Sequence, residues 1–363
     1  MAVSISSASL VGSTMTIAGT GFGSKSPAAP VLYQPFITTS TNDSYAAAGW
    51  DFLGGNIGGN PGYEDYTYVD MTEGVGGGSW FTLLDGGGDV FTHFGVFLPA
   101  SSDTCICAFF HKMVPTTAGT DANGSGQIKG TRVGPTGGNT GVSQGGDMYA
   151  HHYAQYGASH YSASFTDVNS TLGFDPVGHW WASGGAENNV SATGSGIAML
   201  NSQWHYKETI HKLNTLGSAD GIMINHTDGI THINASNLQV KYDAGEYLEY
   251  CQPTPGYTNG FLGNPMNVYH SHIYIDNTMA RAFLGNASTL AACTQRFYVG
   301  PSAWSTTDIT ATVEQIPTGF DWLYVSDSTN TINSSGYAYS AAAGSDAHGL
   351  LVGKFGQPLM GLL

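Results

Sequence analysis

Short runs in which apolar and polar positions alternate recur along this chain, the two-residue period of a β-strand with one buried face. Val3 and Ile5, then Met15 and Ile17, open it as a pair of short strands. Near the other end Ile273 and Ile275 alternate with His272, Tyr274 and Asp276. Glycine-rich punctuation such as GGNIGGNPG, EGVGGGS and LDGGGD separates the runs between 31 and 130. The stretch 204–229, WHYKETIHKLNTLGSADGIMINHTDG, reads as a strand of about ten residues. A turn at Asn214, Thr215 and Gly217 follows, then a second strand from Ile222 that ends at Asp228-Gly229. Residues 117–147 are poor in apolar side chains and read as a long exposed excursion.

Composition sharpens this to an all-β chain. Only 10% of the 363 residues are charged, so Glu and Lys are too scarce for sustained helices, while 51 glycines suit turns. The balance of 10 Lys+Arg against 26 Asp+Glu gives a net charge of −16, with no basic cluster. Nucleic-acid backbones and anionic membranes both require such clusters, so neither is expected as a partner. No run reaches the length of a transmembrane helix, and the first residues lack the basic and apolar regions of a secretory signal. The four cysteines fit neither a disulfide scaffold nor a zinc motif. Cys105 and Cys107 would point the same way from a strand, and a Cys251–Cys293 bridge has only parity in its favour. Buried, reduced thiols are the expectation.

Two resemblances follow from particular residues. Gly19, Gly21, Phe22 and Gly23 in GTGFGS resemble the first turn of IPT/TIG immunoglobulin-like domains. Trp304 to Ile309, Thr310, Thr312 and Leu323-Tyr324-Val325 resemble the second half of the same domain. The strand pair in 204–229, with 270–285, resembles the concanavalin A-like lectin/glucanase and polysaccharide-lyase sandwiches. The implied fold is a jelly-roll β-sandwich plus a small immunoglobulin-like β-sandwich. Its domains are 1–30 with 290–345 as one split module, 31–289 inserted, and 346–363 as a tail.

Strand parity puts Trp204, Tyr206, Glu208, Ile210 and Lys212 on one face and His205, Lys207, Thr209, His211 and Leu213 on the other. Neither face is cleanly apolar. By the resemblance, the Glu208 and Lys212 face lines a concave trough, with His226 projecting to that side from the neighbouring strand. Aromatic rings beside a carboxylate and an ammonium suit a sugar, whose CH groups stack while its hydroxyls take hydrogen bonds. The glycan-binding candidates are therefore Trp204, Tyr206, Glu208, Lys212 and His226; a cross-strand ion pair with packing aromatics is the structural alternative. Asp85, Asp89, Asp220 and Asp276 are weak candidates for a structural calcium, which sandwiches of the resembled class often carry. Cofactors are otherwise expected to be none. His270 and His272, two apart on a strand, would share a face, yet no third metal ligand is recognisable and no metal site is assigned.

Catalysis is the minority expectation. Glucanases of the resembled architecture carry Glu-x-Asp-x-x-Glu on one strand, and no such strand exists here. Lyases place Arg, His or Gln, Tyr and Lys on facing strands; the nearest segment, Thr209-Ile210-His211, lacks the Gln, and only Arg132, Arg281 and Arg296 are available to hold a uronate. The leading expectation is a non-catalytic interaction protein on a virion or cell surface, of decoration or adhesin type. Its partners would be glycans, further copies in a homo-oligomer, and other virion or surface proteins. A polysaccharide lyase or glycoside hydrolase, and a purely structural shell or filament subunit, are the alternatives. Virion surface or extracellular space is the matching location.

Overall fold

The computed structural model describes residues 2–35, 49–53, 67–70, 75, 79–84, 94–115, 126–135, 149–156, 177–181, 187–191, 203–239, 241, 244–245, 247–253, 257–259, 266–314 and 316–341. Among them the protein is all-β, with one 3₁₀ turn at Leu290–Ala292. No helix among these residues is long and apolar enough to cross a membrane.

The large body is a jelly-roll β-sandwich of two eight-stranded sheets. The first sheet runs, strand beside strand, Ile230–Leu238, Gly221–Thr227, Trp204–Lys212, Thr104–Pro115, Met266–Asp276, Ser79–Leu84 and Thr67–Asp70, with Leu32–Gln34 also paired to Met266–Asp276. The second runs Glu187–Ser191, Val177–Trp181, Tyr149–Tyr156, Gly126–Pro135, Leu248–Gln252, Phe94–Ser102 and Phe52–Leu53, with Tyr257–Asn259 on Gly126–Pro135. Residues 126–135 are thus a paired strand in the second sheet, not part of an exposed excursion. The β-branched Ile128, Thr131 and Val133, the last two buried, suffice for a strand once neighbours pair on both sides, which a low apolar count concealed. Residues 116–125 and 136–148, like the tail 346–363, lie outside the described residues.

Between the sheets, Cys105, Cys107, Phe109, Leu213, Met223 and Ile275 of the first pack against Val96, Leu98, Val133, Leu248 and Cys251 of the second. The first sheet's other face is covered as well. Ala108, Phe110, Trp204, Tyr206 and Tyr274 share a core with Phe283, Phe297, Tyr298, Phe320 and Tyr324 of a smaller two-sheet sandwich. Burial on both sides explains why Trp204–Lys212 shows no clean alternation: eight of its nine residues are buried.

The small sandwich takes strands from both chain ends. Ser4–Val11 and Thr14–Thr20 join Asp308–Thr312, Gly300–Trp304 and Ser340–Ala341 in one sheet, with Met15 opposite Ala311 and Ile17 opposite Ile309. Arg281–Gly285, Arg296–Tyr298, Trp322–Ser326 and Tyr337–Ala338 form the other. The GTGFGS turn closes the end of this sandwich. Phe22 is fully buried, edge-on to Trp304 at 6.4 Å. Gly21 has φ +76°, and a Cβ there would meet the Ala2 carbonyl oxygen at 2.5 Å. Gly21→Ala is therefore expected to cost about 1–3 kcal/mol in urea unfolding; an unchanged midpoint would contradict this.

Candidate functional site

The strand singled out by sequence places Glu208 at the seam between the two bodies. The carboxylate is fully buried. Arg296 Nη1 donates to both of its oxygens at 2.9 Å, and Arg281 Nη2 lies 3.5 Å from Oε1. Tyr206 donates its hydroxyl to Oε2 at 2.7 Å, and Tyr298 donates to the same oxygen. Burial alone would raise the carboxyl's pKa; Arg296, then Arg281, outweigh it and hold the group well below the usual carboxylate range. Burial, reinforced by Glu208, pushes the Tyr298 hydroxyl up to about 12. Arg281 completes its fork with Met279 O at 2.8 Å, Ser326 Oγ at 3.1 Å and Asn330 Oδ1 at 2.8 Å. The result is a saturated buried ion cluster, with no oxygen of Glu208 facing solvent.

A second cluster lies beside it. Lys25, from the segment after the GTGFGS turn, is 2.5 Å from Asp276 Oδ2, which also accepts from Tyr274 at 2.5 Å. Thr278 donates to Oδ1 from its backbone N–H at 3.1 Å, and Lys25 reaches Thr278 Oγ1 at 2.7 Å. Burial raises the Asp276 pKa against the pull of Lys25, and lowers that of Lys25 against the pull of Asp276. Tyr274 stacks on Tyr298 at 4.5 Å, joining the two clusters.

These positions correct the expected trough. Glu208 and Tyr206 are enclosed by the small sandwich, and Trp204 is only 9% exposed, with the Lys112 ammonium 5.8 Å from its ring centroid. His226 bonds Thr231 at 2.8 Å, and Lys212 is half-buried at the strand's end, so neither joins Trp204 on an open surface. Asp220 braces its own turn through Thr215 at 2.6 and 2.8 Å, while Asp276 is held by Lys25. Asp85 and Asp89 lie outside the described residues. Among the described residues no group of three or more His, Cys, Asp or Glu could hold a metal ion.

The expected sharing of a face by His270 and His272 also fails, for a backbone reason. The pairing with Thr104–Pro115 slips between Ser271 and Tyr274, and His272 takes φ +50°. His270 therefore meets Phe109 on the inter-sheet side, whereas His272 stacks on Phe297 of the small sandwich at 3.6 Å.

The inter-sheet face carries its own polar row. His205 and His270 both lie opposite His111 in register, with ring centroids 6.2 and 6.4 Å from it. Lys207 is buried one step along from His205. His205 Nδ1 is 2.5 Å from Asp228 Oδ2, and Asp228 Oδ1 accepts from Tyr206 N at 2.9 Å. Burial, and then Lys207, drive the His270 pKa down to about 3; burial alone does the same for His211. Burial thus favours the neutral form of both imidazoles near pH 7.

The second sheet aligns a further polar row that sequence reasoning did not assemble. Gln252, Arg132, His151 and His179 stand opposite one another on four neighbouring strands. Beside that row Tyr250 is opposite Phe97, and Tyr149 is opposite Trp181. Gln252 is 1% exposed, and its Oε1 has no hydrogen-bond partner among the described residues. Phe97 is 44% exposed.

No protein-family model and no curated protein matches the sequence. Among solved structures, the chain is similar to the marine PL-14 alginate lyase from Aplysia kurodai, at 12% identity over 68% of this chain and 98% of that one, TM-score 0.46. It is similar to an endo-beta-1,4-glucuronan lyase from the fungus Trichoderma reesei, at 12% identity over 69% and 97%, TM-score 0.42. A carbohydrate esterase from the Shiga toxin-encoding bacteriophage phi24B matches at 16% identity over 68% and 97%, TM-score 0.36. The likeness is one of fold.

Proposed function

We propose that the protein is a non-catalytic virion- or cell-surface interaction protein that contacts glycans through the second sheet of its jelly roll, with the small sandwich as an IPT/TIG-type mount. The observation that carries this reading is the burial of Glu208 under Arg281 and Arg296. The carboxylate best placed on the first sheet for sugar contact or acid–base work holds the two bodies together instead. That leaves the opposite sheet for recognition. There the chain's third arginine, Arg132, falls in register between Gln252, itself buried, and His151, beside the exposed Phe97 and the positions of Tyr149 and Trp181. Alternating polar and aromatic rows match the alternating hydroxyl and CH surfaces of a sugar.

A polysaccharide lyase is the second reading, favoured by the same register of an arginine, a glutamine and a histidine, groups able to neutralise a uronate and move a proton. A glycan array that includes acidic and neutral polysaccharides, run beside an unsaturated-uronate absorbance assay, separates the two. Binding without turnover, weakened at least about tenfold by Arg132→Ala, is the expected result. Turnover lost in both R132A and H151A would install the lyase reading. Absence of binding and turnover on every polysaccharide would overturn both.

A further inference from the structure

Three of the four cysteines meet across the gap between the large sheets. Cys105 and Cys107 belong to Thr104–Pro115 of the first sheet, and Cys251 belongs to Leu248–Gln252 of the second. All three are fully buried in one cluster with Val96, Leu98, Val133 and Leu213. The two strands approach to within 8 Å between Cα atoms, and Cys251 shares their core cluster with Cys105 and Cys107. Cys293 sits apart, in the core shared with the small sandwich, its thiol on Gln295 O at 3.1 Å. All four thiols are free. A single buried thiol is an ordinary small apolar side chain. Three thiols gathered between closely approaching strands of two different sheets are also one two-electron oxidation away from a cross-link, since a disulfide spans Cα atoms roughly 4.4–6.8 Å apart.

We propose that this triad is a redox modification site, at which Cys251 forms a cross-sheet disulfide with Cys105 or Cys107. The oxidant is a low-molecular-weight disulfide such as oxidised glutathione. One protein thiolate attacks it and releases one small thiol; the second protein thiolate then attacks the resulting mixed disulfide and releases the other. Two S–H bonds are lost, one protein S–S bond forms, and the small disulfide is reduced to two thiols. The third thiol of the triad gives the bond a neighbour for exchange. Burial raises the pKa of Cys105 and of Cys251, so the closed sandwich holds little thiolate. Oxidation therefore belongs to folding or to an opened sandwich, and the finished bond is protected. It ties the second sheet to the first at the residue before Gln252, and it closes a long loop, the circumstance in which a disulfide stabilises most.

The test refolds the full chain in parallel in reducing buffer and in a mixture of oxidised and reduced glutathione, then alkylates under denaturing conditions and maps peptides by mass spectrometry. Two protected thiols, a cross-linked peptide joining Cys251 to the Cys105–Cys107 segment, and an alkylated Cys293 are expected. The oxidised form should melt roughly 5–10 °C higher, and the gain should vanish with reductant and in Cys251→Ala, but persist in Cys293→Ala. If C251A does not fold, the wild-type peptide map decides alone. Four alkylated thiols after oxidative refolding, or a bond joining Cys105 to Cys107 or Cys251 to Cys293, would overturn the proposal.

Discussion

Glu208→Ala is expected to destabilise the protein by about 3–5 kcal/mol, because it leaves two buried guanidinium groups without their counter-charge. Arg281 is fully buried, and Arg296 keeps only 12% of its side chain exposed. Neither can turn to water without opening the seam between the sandwiches. Tyr206 and Tyr298 would lose their acceptor at the same time, and each buried hydroxyl left unmade adds about 1–3 kcal/mol to the gross cost. Glu208→Gln keeps the shape and an acceptor and should cost less than E208A. Its pH signature is more informative. The folded-state pKa of Glu208 is depressed, so its contribution is complete above the ordinary carboxylate pKa and disappears as pH falls through the depressed one. The gap in unfolding free energy between wild type and E208Q should stay level from about pH 8 to 5 and narrow below about pH 4. Urea titrations at those pH values measure it; an E208A variant within 0.5 kcal/mol of wild type would mean that the cluster does not hold the bodies together.

The fate of Glu208 shows where sequence reading reached and where it stopped. Parity assigned Trp204, Tyr206 and Glu208 to one face, and that face is the one they share in the structure. What covers a face is not written in its own strand. The covering residues arrive from Arg281–Gly285 and Arg296–Tyr298, more than seventy positions later. One local signal was present: a charged residue inside an apolar run, as in Met279-Ala-Arg281-Ala-Phe283-Leu284, is affordable only when paired. The strand pair at 204–229 was legible because its turn residues and its length agree, and the observed pairing runs from Lys207 opposite Thr227 to Lys212 opposite Ile222. The bulge at His272 was not legible, since a slip of register depends on the partner strand and leaves the alternation of Ile273 and Ile275 intact. The row of Gln252, Arg132, His151 and His179 was hidden for a related reason. Its members are far apart in sequence, and only strand order brings them into register.

Lys25→Met is the second large effect, and it should carry the opposite pH dependence. The substitution leaves Asp276 fully buried with Tyr274 and Thr278 as its remaining donors, which is expected to cost about 3–5 kcal/mol at neutral pH. Burial already raises the Asp276 pKa in the folded state even with Lys25 present. A carboxyl whose folded pKa exceeds its unfolded value favours folding below the unfolded pKa and loses that advantage as pH rises through the folded one. Removing Lys25 takes away the lowering influence and widens that window, so K25M should recover stability as the buffer is made more acidic, whereas E208Q and wild type converge there because wild type declines. Combining K25M with Asp276→Asn removes the stranded charge and keeps a carbonyl oxygen for Tyr274. The double variant should therefore be more stable than K25M alone by at least about 1 kcal/mol, a coupling typical of side chains in direct contact. Thermal unfolding of the four proteins at pH 5 and 7 completes the cycle. Additive effects, or a K25M variant that weakens further in acid, would show that Lys25 and Asp276 do not act as a buried pair anchoring the N-terminal segment to the jelly roll.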